Sequence, residues 1–415
     1  MSSPSVVSEV GRFEQIVELE RRYLLQTYQR YPLAIARGKG VFVYDVEGRR
    51  YLDFVAGLGV NALGHAHRAI VKVIRDQAAR VIHTSNLYYN EYQGELAAKL
   101  CQLSDLNRVF FTNSGTEAME GALKLARAAA SSKEGKCSVV ALEGSFHGRT
   151  FGALSMTGQE KYRKDFEPLL DGVKFVGLND LDGLRRAVDA STCAIVLEPI
   201  QGEGGIRECT GEFLAEARAL ADRNEAALVF DEIQCGLGRL GRLFAFQHYG
   251  VTPDVVTIAK PLAAGLPLGA FIANEKFSSA LSAGKHGTTF GGGPLACRVA
   301  LEYFKVIEEE NLLDNVRRVG AYLRQQLDAI ASDFAIAREV RGFGLMQALD
   351  LSVPSRPLVE AAQEKGMLFN STQDTAVRFL PPFLLNEEHV DKGMRVLRSL
   401  LKKTGKPRAQ TRQLP

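Results

Sequence analysis

Short apolar runs recur through the middle of the chain, separated by stretches with helical spacing. The runs are Val109–Phe111, Val139–Leu142, Ala194–Leu197, Leu228–Phe230 and Val255–Ile258. After the first of them, Met119, Ala122, Leu123 and Ala126 fall on one helix face. A strand that is apolar on both faces must be covered on both, so the alternation predicts an α/β fold. Its centre is a mostly parallel sheet flanked by helices.

The flanking regions read differently. Phe13, Ile16, Val17, Leu24 and Tyr28 predict an amphipathic N-terminal helix. Val41–Tyr44 and Arg50–Asp53, around turn residues 45–48, predict a hairpin. Beyond Ala296 a long helix is expected on the face of Leu312, Val316, Val319, Leu323, Leu327 and Ile330. Strands near 344–351 and 376–380 and a helix near 356–365 complete a smaller α+β domain. The expected layout is an N-terminal segment, 1–60, joining that smaller domain, a large domain over 61–300, and the small domain over 301–415. The basic tail from about residue 404 is expected to be disordered.

Composition removes several classes. A net charge of +3 over 415 residues gives no basic field for nucleic acid. The six cysteines form no C-x-x-C pair, so no metal site is expected and a reducing, cytoplasmic setting is. The N-terminus lacks the apolar core of a signal peptide, and no apolar run is long enough to span a bilayer.

Ligands of open α/β sheets collect beyond the carboxyl ends of the strands. Beyond the five runs stand, in order, Asn113-Ser114-Gly115-Thr116-Glu117, Phe146-His147-Gly148-Arg149, Glu198-Pro199-Ile200-Gln201-Gly202-Glu203, Asp231-Glu232-Ile233-Gln234 and Lys260-Pro261. Singly, each has an ordinary explanation: a helix cap, a core aromatic, a surface arginine, a surface lysine. Together they supply a phosphate cradle, an aromatic face, a carboxylate-binding arginine, an acid for a ring nitrogen and an amine. That is the set pyridoxal 5'-phosphate (PLP) requires. A rival signal, Gly236-Leu237-Gly238-Arg239-Leu240-Gly241, fits the G-x-G-x-x-G of a nicotinamide site. However, no long helix is expected after it, and it lies late in the chain.

The same residues, with Asn61–His65, Phe111–Ala118, Ala259–Leu262 and His286–Gly292, resemble the class III (ornithine-type) aminotransferases from about Tyr28 to Leu400. The resemblance implies the PLP-dependent transferase fold type I. It also implies transfer of the terminal amino group of N2-acetylornithine to 2-oxoglutarate, a step of arginine biosynthesis. Alternative donors within the family are succinylornithine, ornithine, acyl- or carrier-bound lysine and 4-aminobutyrate. A PLP mutase or a non-catalytic PLP-binding protein would share the fold.

Position by position, the resemblance makes Lys260 the Schiff-base lysine and proton shuttle, and Asp231 the partner of the pyridine nitrogen. Gln234 lies at the ring hydroxyl and Phe146 stacks on the ring. Ser114, Gly115 and Thr116 hold the phosphate, completed by Thr289 from the partner of a homodimer with shared sites. Arg149, Thr288 and Tyr28 contact the acylated donor. Arg378 grips the α-carboxylate of glutamate, and Glu203 neutralises Arg378 when the donor is bound. Two departures, Arg68 in place of proline and Gly293 in place of asparagine, touch none of these roles.

Overall fold

The computed structural model describes residues 11–404, so the tail expected beyond about residue 404 lies outside the described residues. All five apolar runs are strands: Arg108–Thr112, Ser138–Leu142, Thr192–Leu197, Ala227–Asp231 and Val255–Ile258. They join Val173–Val176 and Gly269–Ala273 in a seven-stranded sheet. From edge to edge the order is Arg108–Thr112, Gly269–Ala273, Val255–Ile258, Ala227–Asp231, Thr192–Leu197, Ser138–Leu142, Val173–Val176. Gly269–Ala273 alone runs antiparallel to its neighbours.

That strand is poor in β-branched residues, and the sequence pattern does not predict it. Intrinsic strand preferences span only about 1 kcal/mol. Burial of a single Phe or Ile contributes roughly 1.5–3 kcal/mol. Phe271 and Ile272 are buried here, so packing decides the conformation. Its antiparallel direction brings its first residue to the edge where the parallel strands end. The helix Gly115–Ala130 crosses Gly269–Ala273 and Val255–Ile258. A Cβ at Gly121 would collide with the Phe271 ring, so glycine there permits the helix to lie close to the sheet.

The hairpin is present as Phe42–Asp45 and Arg50–Asp53, with an unpredicted exposed edge strand, Ile35–Lys39, beside it. Met367–Leu368 adds to Arg50–Asp53 in parallel. A second C-terminal sheet contains Ala337–Phe343, Met346–Leu351, Ala376–Phe379 and Asn370–Thr372 in that order. The helix Leu312–Asp333 covers it with the apolar face named above, every residue of which is buried. We retain 1–60, 61–300 and 301–415 as the proposed division into N-terminal segment, large domain and small domain.

One expectation, the extent of the N-terminal helix, is corrected, and the expectation that no long helix follows Gly236–Gly241 holds. The N-terminal helix spans Arg12–Tyr23 and stops before Leu24, whose backbone is extended; Tyr28 lies beyond it. None of its residues is buried, and of its apolar stripe Phe13 and Ile16 are half-buried while Val17 is exposed. The residues Gly236–Gly241 form turns, and the next helix, Phe246–Tyr249, is a single turn. Their arginine, Arg239, is buried without a carboxylate. It donates to the carbonyls of Gly59, Leu345 and Pro381, tying the N-terminal segment, the large domain and the C-terminal sheet together. Burial pushes its guanidinium down to about 10. The motif therefore serves a structural junction.

Candidate active site

The carboxyl edge of the seven-stranded sheet opens into a cavity of about 410 Å³. Its lining includes Ser114, Gly115, Thr116, Phe146, His147, Arg149, Glu198, Glu203, Asp231, Gln234 and Lys260. One chain thus brings together residues from five separate strand ends. The start of the antiparallel strand adds Gly265–Leu268 to the wall.

The helix Gly115–Ala130 begins at the cavity because Ser114 caps it. Ser114 Oγ accepts the amide of Glu117 at 3.3 Å, and Glu117 Oε2 accepts the amide of Asn113 at 2.8 Å. The first intrahelical bond runs from the Ala118 amide to Ser114, so the amides of Gly115 and Thr116 stand free of it. That end carries partial positive charge and suits a phosphate. Thr116 Oγ1 also meets Thr150 Oγ1 at 2.8 Å and accepts the Arg149 amide at 3.2 Å, which joins the cradle to the neighbouring loop. The Arg149 guanidinium, 4.0 Å from the Tyr162 ring centre and 5.4 Å from that of Phe146, is held against the mouth by aromatic faces.

Asp231, at the end of its strand, is buried. Its Oδ2 accepts from His147 Nδ1 at 2.8 Å, and Oδ1 accepts the Ile233 amide at 3.0 Å. Burial alone would lower the His147 pKa, but the hydrogen bond and charge of Asp231 raise it above the ordinary imidazole value. His147 Nε2 is buried and has no partner. The sequence reading passed over His147, although it stands beside Phe146 in a segment already singled out. Only the register of two strand ends shows that it reaches Asp231.

Lys260 lines the cavity, and its side chain makes no hydrogen bond to any of the described residues. Burial pushes its ammonium below the usual lysine value, with Arg378 adding and Asp231 and Glu203 opposing. At neutral pH a larger share is therefore the free amine, the nucleophilic form.

Arg378 is 1% exposed and fully engaged. It donates to Glu203 Oε1 at 2.6 Å, to the Gly202 carbonyl at 3.0 Å, to Gln234 Oε1 at 3.2 Å, and twice to Asn370 Oδ1. Burial works to raise the Glu203 carboxyl, but Arg378 beside it holds it below the usual value. The pair is a cation with a carboxylate already seated on it.

Three candidate residues lie elsewhere. Tyr28 is 74% exposed, and Thr289 is exposed. Thr288 Oγ1 bonds to Asn113 Nδ2 at 3.1 Å and to the Gly291 amide, outside the Lys260 cavity. A single chain does not bring these three to the cavity. Among the described residues no cluster of His, Cys, Asp or Glu is suited to a metal ion, and no helix is long and apolar enough to cross a membrane.

The family described as Aminotransferase class-III matches residues 23–401. An acetylornithine aminotransferase of Caldanaerobacter subterraneus subsp. tengcongensis is 46% identical over 93% of this chain and 99% of its own. One of Methanocaldococcus jannaschii is 47% identical over 91% and 96%. The ornithine aminotransferase of Toxoplasma gondii, solved with partial occupancy of PLP at its active site, superposes with a TM-score of 0.89. It is 32% identical, over 94% of each chain.

Removing the seated carboxylate tests the gate directly. Glu203→Ala removes the only carboxylate among the acceptors of Arg378 Nη1, leaving the Gly202 carbonyl and Gln234 Oε1 as neutral partners that an external carboxylate can displace. Calorimetric titration of the purified protein with glutarate should show about tenfold tighter binding in the variant, the scale of one charge-assisted hydrogen bond. Equal affinities would show that Glu203 does not occlude Arg378.

Proposed function

The chain belongs to the class-III aminotransferases, a PLP-dependent family, and from that premise we propose that it transfers the terminal amino group of N2-acetylornithine to 2-oxoglutarate. The observation that carries the reading is the cavity itself. A desolvated lysine, a histidine-oriented aspartate and a helix N-terminus converge there, with an occluded arginine behind them. In a chain so similar to acetylornithine aminotransferases over nearly its full length, this supports the named substrate.

The residues fit PLP. The free amides of Gly115 and Thr116, with Ser114, are a cradle for its phosphate. Phe146 offers a flat wall, Gln234 a partner for the ring hydroxyl, and Asp231 a carboxylate for the ring nitrogen. When bound, PLP supplies an electron-poor ring that lets the carbon bearing the amino group release a proton. Asp231, oriented by His147, holds positive charge at the ring nitrogen. Lys260, whose amine is desolvated, would hold the cofactor and would serve as the base for the proton on the amino-bearing carbon. Arg149 with Thr288 and Tyr28 holds the acetylated end of the donor, while Glu203 stays on Arg378. In the second half-reaction Glu203 moves aside and Arg378 grips the α-carboxylate of glutamate or 2-oxoglutarate. Ping-pong kinetics follow.

The donor is tested by kcat/KM with 2-oxoglutarate for N2-acetylornithine, N2-succinylornithine, ornithine, acetyl-lysine, carrier-bound lysine and 4-aminobutyrate. N2-acetylornithine should lead by at least about tenfold over ornithine, because the acyl group adds apolar contact worth about 1–3 kcal/mol. A lead by ornithine would assign the chain to the activity named for the Toxoplasma gondii protein.

The active unit in this reading is a homodimer, placed in the cytoplasm. Its support is the exposure of the apolar side chains Tyr23, Leu25, Leu87, Tyr88, Tyr89 and Phe290, of which Leu87 follows Asn86, whose side-chain amide donates to the carbonyls of Thr288 and Gly291. An isologous pair would bring each such loop to the other's cavity. Subunit exchange between a Lys260→Ala and a Thr289→Asp variant should then restore activity. The mixed dimer has one cavity with both lesions and one with neither. Mixed dimers that form and stay inactive would place Thr289 in its own chain's site.

A further inference from the structure

Glu198 follows the strand Thr192–Leu197 directly, is buried, and lines the cavity, yet none of the roles above uses it. Its two oxygens serve two different loops. Oε2 accepts the amide of Phe146 at 2.9 Å, and Oε1 accepts the amide of Gly202 at 3.1 Å. Phe146 is one wall of the cavity. Gly202 immediately precedes Glu203, and its carbonyl accepts Arg378 Nη1 at 3.0 Å. One carboxylate therefore spans the aromatic wall and the turn that carries the gate.

We propose that Glu198 is a positioning residue that sets amine selectivity: its ionised carboxylate clips the Phe146 loop to the Gly202–Glu203 turn and so keeps Glu203 seated on Arg378. The inference rests on the reading that Glu203 gates Arg378 during transfer from a terminal amine. Both loop groups are N–H donors, so both oxygens must accept. Amidation turns one of them into a donor facing an N–H, and protonation removes the charge and leaves one oxygen a weaker hydroxyl acceptor; either loosens one of the two loops.

The clip responds to pH. Burial pushes the Glu198 carboxyl up to about 7, with His147 opposing and Asp231 adding. The other titratable groups facing it are Lys260 and the thiols of Cys209 and Cys235, which burial keeps protonated. Below about pH 7 the proton arrives and the clip opens; above it the clip is closed. His147 and Lys260 serve both amine donors alike, so their titration cancels in a ratio of the two.

The test uses the holoenzyme and the ratio of kcat/KM for N2-acetylornithine to that for L-alanine, each with 2-oxoglutarate, between pH 6 and 8.5. In the wild type this ratio should fall about tenfold as pH drops through 7, the scale of one buried hydrogen bond lost. In Glu198→Gln it should be low and independent of pH. Glutarate should bind the variant holoenzyme about tenfold more tightly than the wild type at pH 8, a readout separate from turnover. A merely structural role would lower stability and leave both readouts unmoved. The proposal is overturned by a Glu198→Gln protein that keeps the wild-type ratio and glutarate affinity. A pH-independent ratio in the wild type would overturn it as well, even if the variant failed to fold. A wild type that leaves N2-acetylornithine unused at every pH would instead overturn the functional reading.

Discussion

A carboxylate buried beneath a sheet edge costs several kcal/mol unless its lone pairs are met. Asp231 meets this cost with His147 Nδ1 at 2.8 Å and the Ile233 amide at 3.0 Å. The rest of the site depends on that arrangement. It fixes a negative charge at the floor of the cavity and holds His147 above the ordinary imidazole pKa. It also leaves the Lys260 side chain with an acid nearby but no hydrogen bond to the described residues, so that burial can lower its ammonium. The charge, the free amine and the helix N-terminus are each held by backbone at a strand end. None of them has to be ordered when a ligand arrives.

The opposing wall is built on a different principle. Arg378 comes from the second C-terminal sheet and Glu203 from the loop after a strand of the central sheet. Their contact at 2.6 Å spans two sheets. A pair of this kind can open when another carboxylate competes for the guanidinium, whereas Asp231 ends one strand of the seven-stranded sheet and His147 follows another. One cavity thus combines a fixed polar floor with an exchangeable polar wall, as two substrates used in turn require.

Much of this was legible in the sequence, for physical reasons. Strands buried on both faces must be apolar throughout, so the five runs announced themselves, and the residues after them are the ones the cavity gathers. Gly269–Ala273 was not legible, because packing rather than its own preference makes it a strand. Ile35–Lys39 is polar and exposed, and carries no periodic signal. Arg378, and the pairing of Glu203 with it, were legible only through the family resemblance, since no spacing joins two sheets. The N-terminal stripe was read correctly as amphipathic but too long, and none of its residues is buried. Tyr28, Thr288 and Thr289 lie outside the cavity of a single chain, so no strand-end pattern could place them in the site.

The central claim is that Lys260 is the amine on which PLP is carried. Borohydride reduction of the holoprotein, followed by peptide mapping, tests it most directly. We expect one pyridoxyl group per chain, on the peptide containing Lys260, and none in Lys260→Ala. A pyridoxyl group on another lysine, or full labelling of Lys260→Ala, would contradict the claim.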